Sequence, residues 1–166
     1  MPGATARPRA RRDPARSPSV VHFREEGTIY DVPLDVLWEF MNWEGHGGAH
    51  ENTGRNFRVL EEAPNRVTVT HESFRGGDWR KVTSRVVDFP PLGRLVEEIE
   101  GPYSGTQMVF LYTPMDGKTR LDIVARFVSD QFDPETLKRH MADSLAAAGV
   151  EDEPYLKRFA ESRSHR

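Results

Sequence analysis

The sequence predicts an α+β fold in which seven antiparallel strands are combined with a short helix after the first strand and a helical C-terminal region. Three observations carry this. β-Branched and aromatic residues come close to alternating with polar ones over most of the span from Val20 to Ser129. Turn-forming Gly, Pro, Asn and Asp interrupt that span at short intervals and end in Asp116-Gly117, a strong hairpin signal. Helical spacing appears at only two places, after Asp31 and after Asp133.

The elements follow in order. In Val20–Tyr30, Val21, Phe23 and Ile29 fall on one side and His22, Arg24 and Glu26 on the other, the pattern of a half-buried strand. Asp31 and Pro33 open a short helix, with Pro33 in its first turn. Leu34, Leu37, Trp38 and Met41 form its apolar face, and it should stop near Asn42. Residues 43–52 hold three glycines and read as a loop or a weak single turn. Six strands joined by short turns follow: Phe57–Glu62, Arg66–Phe74, Trp79–Phe89, Arg94–Glu100, Thr106–Pro114 and Lys118–Ser129. Such an order is an antiparallel meander. Asp133 is placed to cap the last helix, with Pro134 at its first position and Leu137, Met141 and Leu145 on its apolar face. Gly149 and Pro154 are expected to break this helix, leaving a second piece over Pro154–Ser162.

Bulk properties narrow the function. At 166 residues the chain has the size of one domain. It has no cysteine, which excludes disulfides, thiolate metal sites and a Cys nucleophile, and fits a cytoplasmic location. Residues 1–19 carry five arginines against Asp13, a charge of +4, which leaves −7 on the remainder of a chain whose total is −3. An acidic body without a basic face argues against nucleic acid as a partner. No apolar run is long enough for membrane insertion. The first 19 residues, rich in Arg and Pro, read as a disordered tail, and no apolar stretch follows the arginines as a secretory signal requires. No P-loop, dinucleotide fingerprint or nucleophile elbow is present.

Several residues could carry chemistry. His46-x3-His50, with Glu44 and Glu51 beside it, has the spacing of half a zincin site, but Gly47 and Gly48 occupy the interior and the intervening glutamate base is missing. A third ligand would have to come from a strand, with His71 the obvious candidate. The balance favours no metal and no cofactor, His46 and His50 being the pair that could hold one. By the period-two rule, Val67, Val69, His71 and Ser73 share one strand face, and Met108, Phe110 and Tyr112 share another. His71 and Tyr112 are the acid–base candidates. Trp79, Thr83 and Phe89 lie opposite Arg80, Val82, Ser84 and Val86, and this mixed alternation leaves the facing of that strand open.

The order of elements, and the run Thr28-Ile29-Tyr30-Asp31-Val32-Pro33-Leu34-Asp35-Val36-Leu37-Trp38-Glu39-Phe40-Met41 at the strand-to-helix junction, resemble the START-related, polyketide cyclase-like (SRPBCC) superfamily. The resemblance covers about residues 20–148 and places residues 20–166 in one START-like domain. It implies the helix-grip fold: a curved seven-stranded sheet with the C-terminal helix packed across it and a cavity between them. The residues then expected at the ligand are Trp38, Met41, Val69, His71, Trp79, Met108, Phe110, Tyr112, Leu137 and Met141. Trp38 and Met41 also lock the first helix under the sheet. The implied function is binding or carriage of a small apolar molecule such as a lipid, quinone or polyketide. A cyclase or dehydratase using His71 or Tyr112 is the alternative, and a partner-binding domain with a filled pocket is a third reading. A homodimer is compatible with an exposed first strand.

Overall fold

The computed structural model describes residues 17–42 and 46–165. The expected tail therefore falls mostly outside the described residues, as do Trp43, Glu44 and Gly45. The element order is β1 (Ser19–Tyr30), α1 (Leu34–Met41), a 3₁₀ turn (His46–His50), β2 (Gly54–Ala63), β3 (Arg66–Arg75), β4 (Asp78–Phe89), β5 (Gly93–Glu100), β6 (Gln107–Met115), β7 (Lys118–Ser129) and α2 (Pro134–Ser164). The seven strands form one antiparallel sheet in the order β1-β7-β6-β5-β4-β3-β2, so the meander closes back on β1 and leaves β1 and β2 as its edges. The sheet curves around α2, which packs against β1, β3 and β7 and against α1. Among the described residues no helix is long and apolar enough to cross a membrane.

A bulge in β1 corrects the straight alternation read from its sequence. The register with β7 gains one residue between Glu25 and Thr28, where Gly27 adopts φ 80° and donates its N–H to Asp122 Oδ1 at 3.0 Å. Before the bulge the odd-numbered residues face inward; after it the even-numbered ones do. Ile29 is therefore 45% exposed, and Tyr30 turns toward the interior.

Two apolar clusters form the core. The first joins Leu37 and Phe40 of α1 to Tyr112, Leu121, Ile123 and Leu156. The second joins Val82, Tyr103, Met108, Ala125 and Phe127 to Leu137 and Met141 of α2. In α1 it is Phe40, absent from the face read off the sequence, that is fully buried, while Trp38 stays half-buried with its ring edge-on to Tyr112 at 5.7 Å. The reason is that α1 is clamped from two sides, by the sheet and by α2.

The expected break in the last helix does not occur: α2 runs unbroken for 31 residues with Pro154 inside it. Asp133 caps it, its side chain accepting the Thr136 N–H at 3.0 Å. Proline in a helix interior costs roughly 3 kcal/mol or more. The lost bond is the one to the carbonyl of Val150, and that residue is 72% exposed, so water can reach the freed group. Beyond Pro154, Leu156 enters the first core with Tyr155 and Phe159 packed beside it, and Arg163 pairs with Asp35 and Glu39 of α1. Burial of those side chains outweighs the local cost.

Candidate functional site

Between the two cores, where the middle of α2 passes over the sheet, lies a partly open cavity of about 550 Å³. Its apolar wall comes from Val96 of β5, Phe110 of β6, Leu121 and Ile123 of β7, Leu145 of α2 and Met41 of α1. Ile29 and Val150, both largely exposed, mark its mouth. A smaller void of about 60 Å³ adjoins it, sharing Tyr30, Met41, Phe110, Leu121 and Asp152, and reaches Tyr112.

Polar groups line the cavity as well, among them Glu25, Thr28 and Glu153. The β1 bulge delivers Tyr30, β5 delivers Arg94, the 3₁₀ turn delivers His46 and His50, and α2 delivers Asp152. His50 Nε2 stands 3.4 Å from Asp152 Oδ1, and His50 Nδ1 stands 3.8 Å from Glu151 Oε2. Glu151 is itself held by the Asn52 N–H at 2.8 Å and the Thr53 hydroxyl at 2.5 Å, which pins the chain after the 3₁₀ turn to α2. Arg94 is engaged by Asp88 through two bonds of 2.6 and 3.1 Å. Burial drives the pKa shifts. It pushes Tyr30 up to about 12, with Asp152 and Glu25 adding to the effect, so the phenol keeps its proton. It pushes His46 down to about 3, with His50 and Arg94 nearby adding to the effect. It pushes Asp152 up to about 6 against the pull of His50.

The residues expected at the ligand are dispersed. Met41 and Phe110 line the cavity, and Tyr112 borders only the smaller void, buried, with its pKa raised by burial. Met108, Leu137 and Met141 are packed into the second core, and Trp38 packs against the first. Val69 shares the inner face of β3 with His71, and neither is among the residues that line the cavity. Trp79 lies on the outer face: it is paired with Phe74 at 5.3 Å, and Arg55 stands 4.0 Å over its ring. His71 stacks on Phe57 at 4.7 Å, its pKa pushed down to about 4 by burial and by Arg75 and His50.

Sequence reasoning missed Tyr30, Arg94 and Asp152. Tyr30 depends on the bulge, for which Gly27 was the available signal. Asp152 depends on helix continuity through Gly149. Also missed was a buried ion pair in the second core. Arg75 Nη1 stands 2.6 Å from Glu98 Oε1, with the two side chains 8% and 1% exposed. Burial raises the Glu98 pKa and Arg75 opposes it. Arg75 also donates to Ser73 at 3.0 Å and lies 4.8 Å over the Tyr103 ring.

A curved sheet gripping a long helix over a cavity is the START-related, polyketide cyclase-like (SRPBCC) fold. The chain is similar in structure to the Zhui aromatase/cyclase of Streptomyces sp. R1128, with a TM-score of 0.69 and 18% identity over 87% of this chain and 96% of that one. It is also similar to a START superfamily protein of Mycobacterium smegmatis, with a TM-score of 0.66 and 11% identity over 84% of this chain and 97% of that one. Norcoclaurine synthase of Thalictrum flavum, solved with dopamine and hydroxybenzaldehyde, gives a TM-score of 0.60 and 12% identity over 87% and 89%. No protein-family model and no curated protein sequence matches the chain.

Proposed function

We propose that the protein binds a small, largely apolar molecule carrying at least one oxygen function in the cavity under α2. The observation that carries this reading is the make-up of the wall: Val96, Phe110, Leu121 and Ile123 present apolar surface, and among them stand the polar groups of Tyr30, Arg94 and the His50–Asp152 pair. A cavity of about 550 Å³ is of the size that encloses small organic ligands, and a few convergent polar groups are what orient them. Similarity to an aromatase/cyclase and to a synthase solved with aromatic ligands supports the same class of molecule.

The test is a thermal-shift and native mass-spectrometry panel containing a naphthoquinone, a flavonoid and lauric acid. A true ligand raises the Tm, since a species that binds only the folded state at 100 times its Kd stabilises by about 2.7 kcal/mol. Ala148→Trp places an indole in the cavity from a helical position and should abolish the shift while the protein stays folded. Absence of any shift in the unmodified protein across the panel counts against the reading.

Turnover of the bound molecule, of cyclase or dehydratase type, is the second reading. It is favoured by the Tyr30 phenol and the His50–Asp152 pair standing at the cavity wall. A chromatographically new product in the ligand incubation, of unchanged mass for cyclisation or lighter by one water for dehydration, and lost in Tyr30→Phe, distinguishes turnover from carriage.

A further inference from the structure

His46, His50 and Asp152 share more than a place on the cavity wall. One donor atom of each lies within 4.8 Å of the other two. His46 Nδ1, His50 Nδ1 and Asp152 Oδ1 are all buried without a hydrogen-bond partner. An unsatisfied buried polar atom costs about 1–3 kcal/mol; His50 Nδ1 has Glu151 facing it, which leaves His46 Nδ1 and Asp152 Oδ1 to be accounted for.

The surroundings say how. The Glu151 carboxylate, fixed by Asn52 and Thr53, stands 3.8 Å from His50 Nδ1 and favours a proton on that nitrogen. With the proton there, His50 Nε2 turns a lone pair toward Asp152 Oδ1 at 3.4 Å. Two acceptors facing each other call for a proton or a metal ion between them, and the third donor that His46 brings within 4.8 Å favours the metal. A carboxylate behind a ring nitrogen is also the arrangement that orients metal-bound imidazoles.

We propose that His46, His50 and Asp152 form a site for a divalent transition-metal ion, with its remaining coordination positions open to the cavity. Two imidazoles and one carboxylate suit zinc or iron(II) and disfavour magnesium or calcium, which take oxygen ligands. Donors around such an ion at its usual bond length of about 2.1 Å stand roughly 3.4 Å apart, so side-chain rotation of His46 or Asp152 closes the site. Three protein ligands leave the ion unsaturated, as in sites that act on a ligand rather than hold a fold together. All three residues line the cavity, so the open positions meet whatever it holds. The metal site stands without the ligand-binding reading; only the use of its open positions rests on that reading.

The experiment uses the full chain, untagged and stripped with EDTA. Co²⁺ is titrated in while visible d–d absorbance is followed, and Zn²⁺ is then added in competition. One equivalent of Co²⁺ should bind with a ligand-field spectrum and be displaced by one equivalent of Zn²⁺. His50→Gln and Asp152→Asn, which keep side-chain size, should each weaken Zn²⁺ by more than about 100-fold, and Glu151→Gln by about 10-fold. His22→Ala, on the exposed face of β1, should change nothing. Circular dichroism checks that each variant is folded. No uptake by the folded unmodified protein, or unchanged uptake in folded His50→Gln and Asp152→Asn, overturns the proposal. Metal uptake with no organic ligand from the panel leaves the site standing and defeats the binding reading instead.

Discussion

His71 shows how a residue can be read correctly in one respect and misplaced in another. Its inward facing follows from period two, and the structure keeps it on the inner side of β3 with Val69. Nothing in its own strand reveals that the cavity lies over β5, β6 and β7, because that depends on where α2 crosses. The consequence for His71 is a pH dependence of stability. Its folded pKa is lowered to about 4 by burial and by Arg75 and His50, against about 6.5 in an unfolded chain. Between these values the unfolded state holds the proton and the folded state does not. His71 therefore contributes its full stabilisation above about pH 6.5, and this is lost progressively as pH falls toward 4, at no more than about 1.4 kcal/mol per pH unit. Urea melts at several pH values should show this slope flattened in His71→Gln; an unchanged slope would assign the dependence to other groups. Arg75 and Glu98 behave differently, because each compensates the other's charge in a dry core. Arg75→Met should cost about 3–5 kcal/mol, and Arg75→Met with Glu98→Met should recover most of it. Both are measurable as shifts in the urea midpoint.

At the level of elements, strand number, order and most turns were legible because alternation and turn residues are local signals. The bulge in β1 was not, since the extra residue is defined only by the partner strand. Gly27→Val keeps chain length but disfavours the positive φ of the bulge; it should press β1 toward unbroken alternation and turn Tyr30 outward, lowering affinity for any ligand that uses its hydroxyl. Ligand titration of this variant, alongside Tyr30→Phe, tests this. Helix α2 was misread for the opposite reason: Gly149 and Pro154 are local breakers overruled by distant contacts of Leu156 and Phe159. Gly149 has no atom within 4 Å of where a Cβ would sit and no positive φ. Gly149→Ala should therefore stabilise by up to about 1 kcal/mol, seen as a higher Tm.

For the molecule as a whole, the resemblance to the START-related fold extends through the structure, and it led to the cavity but not to its contents. The polar cluster is assembled from four segments far apart in sequence, β1, the 3₁₀ turn, β5 and α2, so no single stretch announces it. Of the proposed metal site, the pair His46-x3-His50 was readable, although the sequence favoured no metal; its carboxylate was not. The two ends of α2 are anchored, one half in each core, and the stretch from Leu145 to Glu153 borders the cavity, tied down there by the Glu151 bonds to Asn52 and Thr53. Within that stretch the proline leaves the Val150 carbonyl without its helical partner. The helix thus resembles a footbridge fixed at both banks and slackest at midspan. Backbone amides there should exchange with deuterium sooner than those of the flanking turns, and a cavity ligand should slow them selectively. Passage into the cavity would then require no movement of the sheet, only a brief loosening of two helical turns.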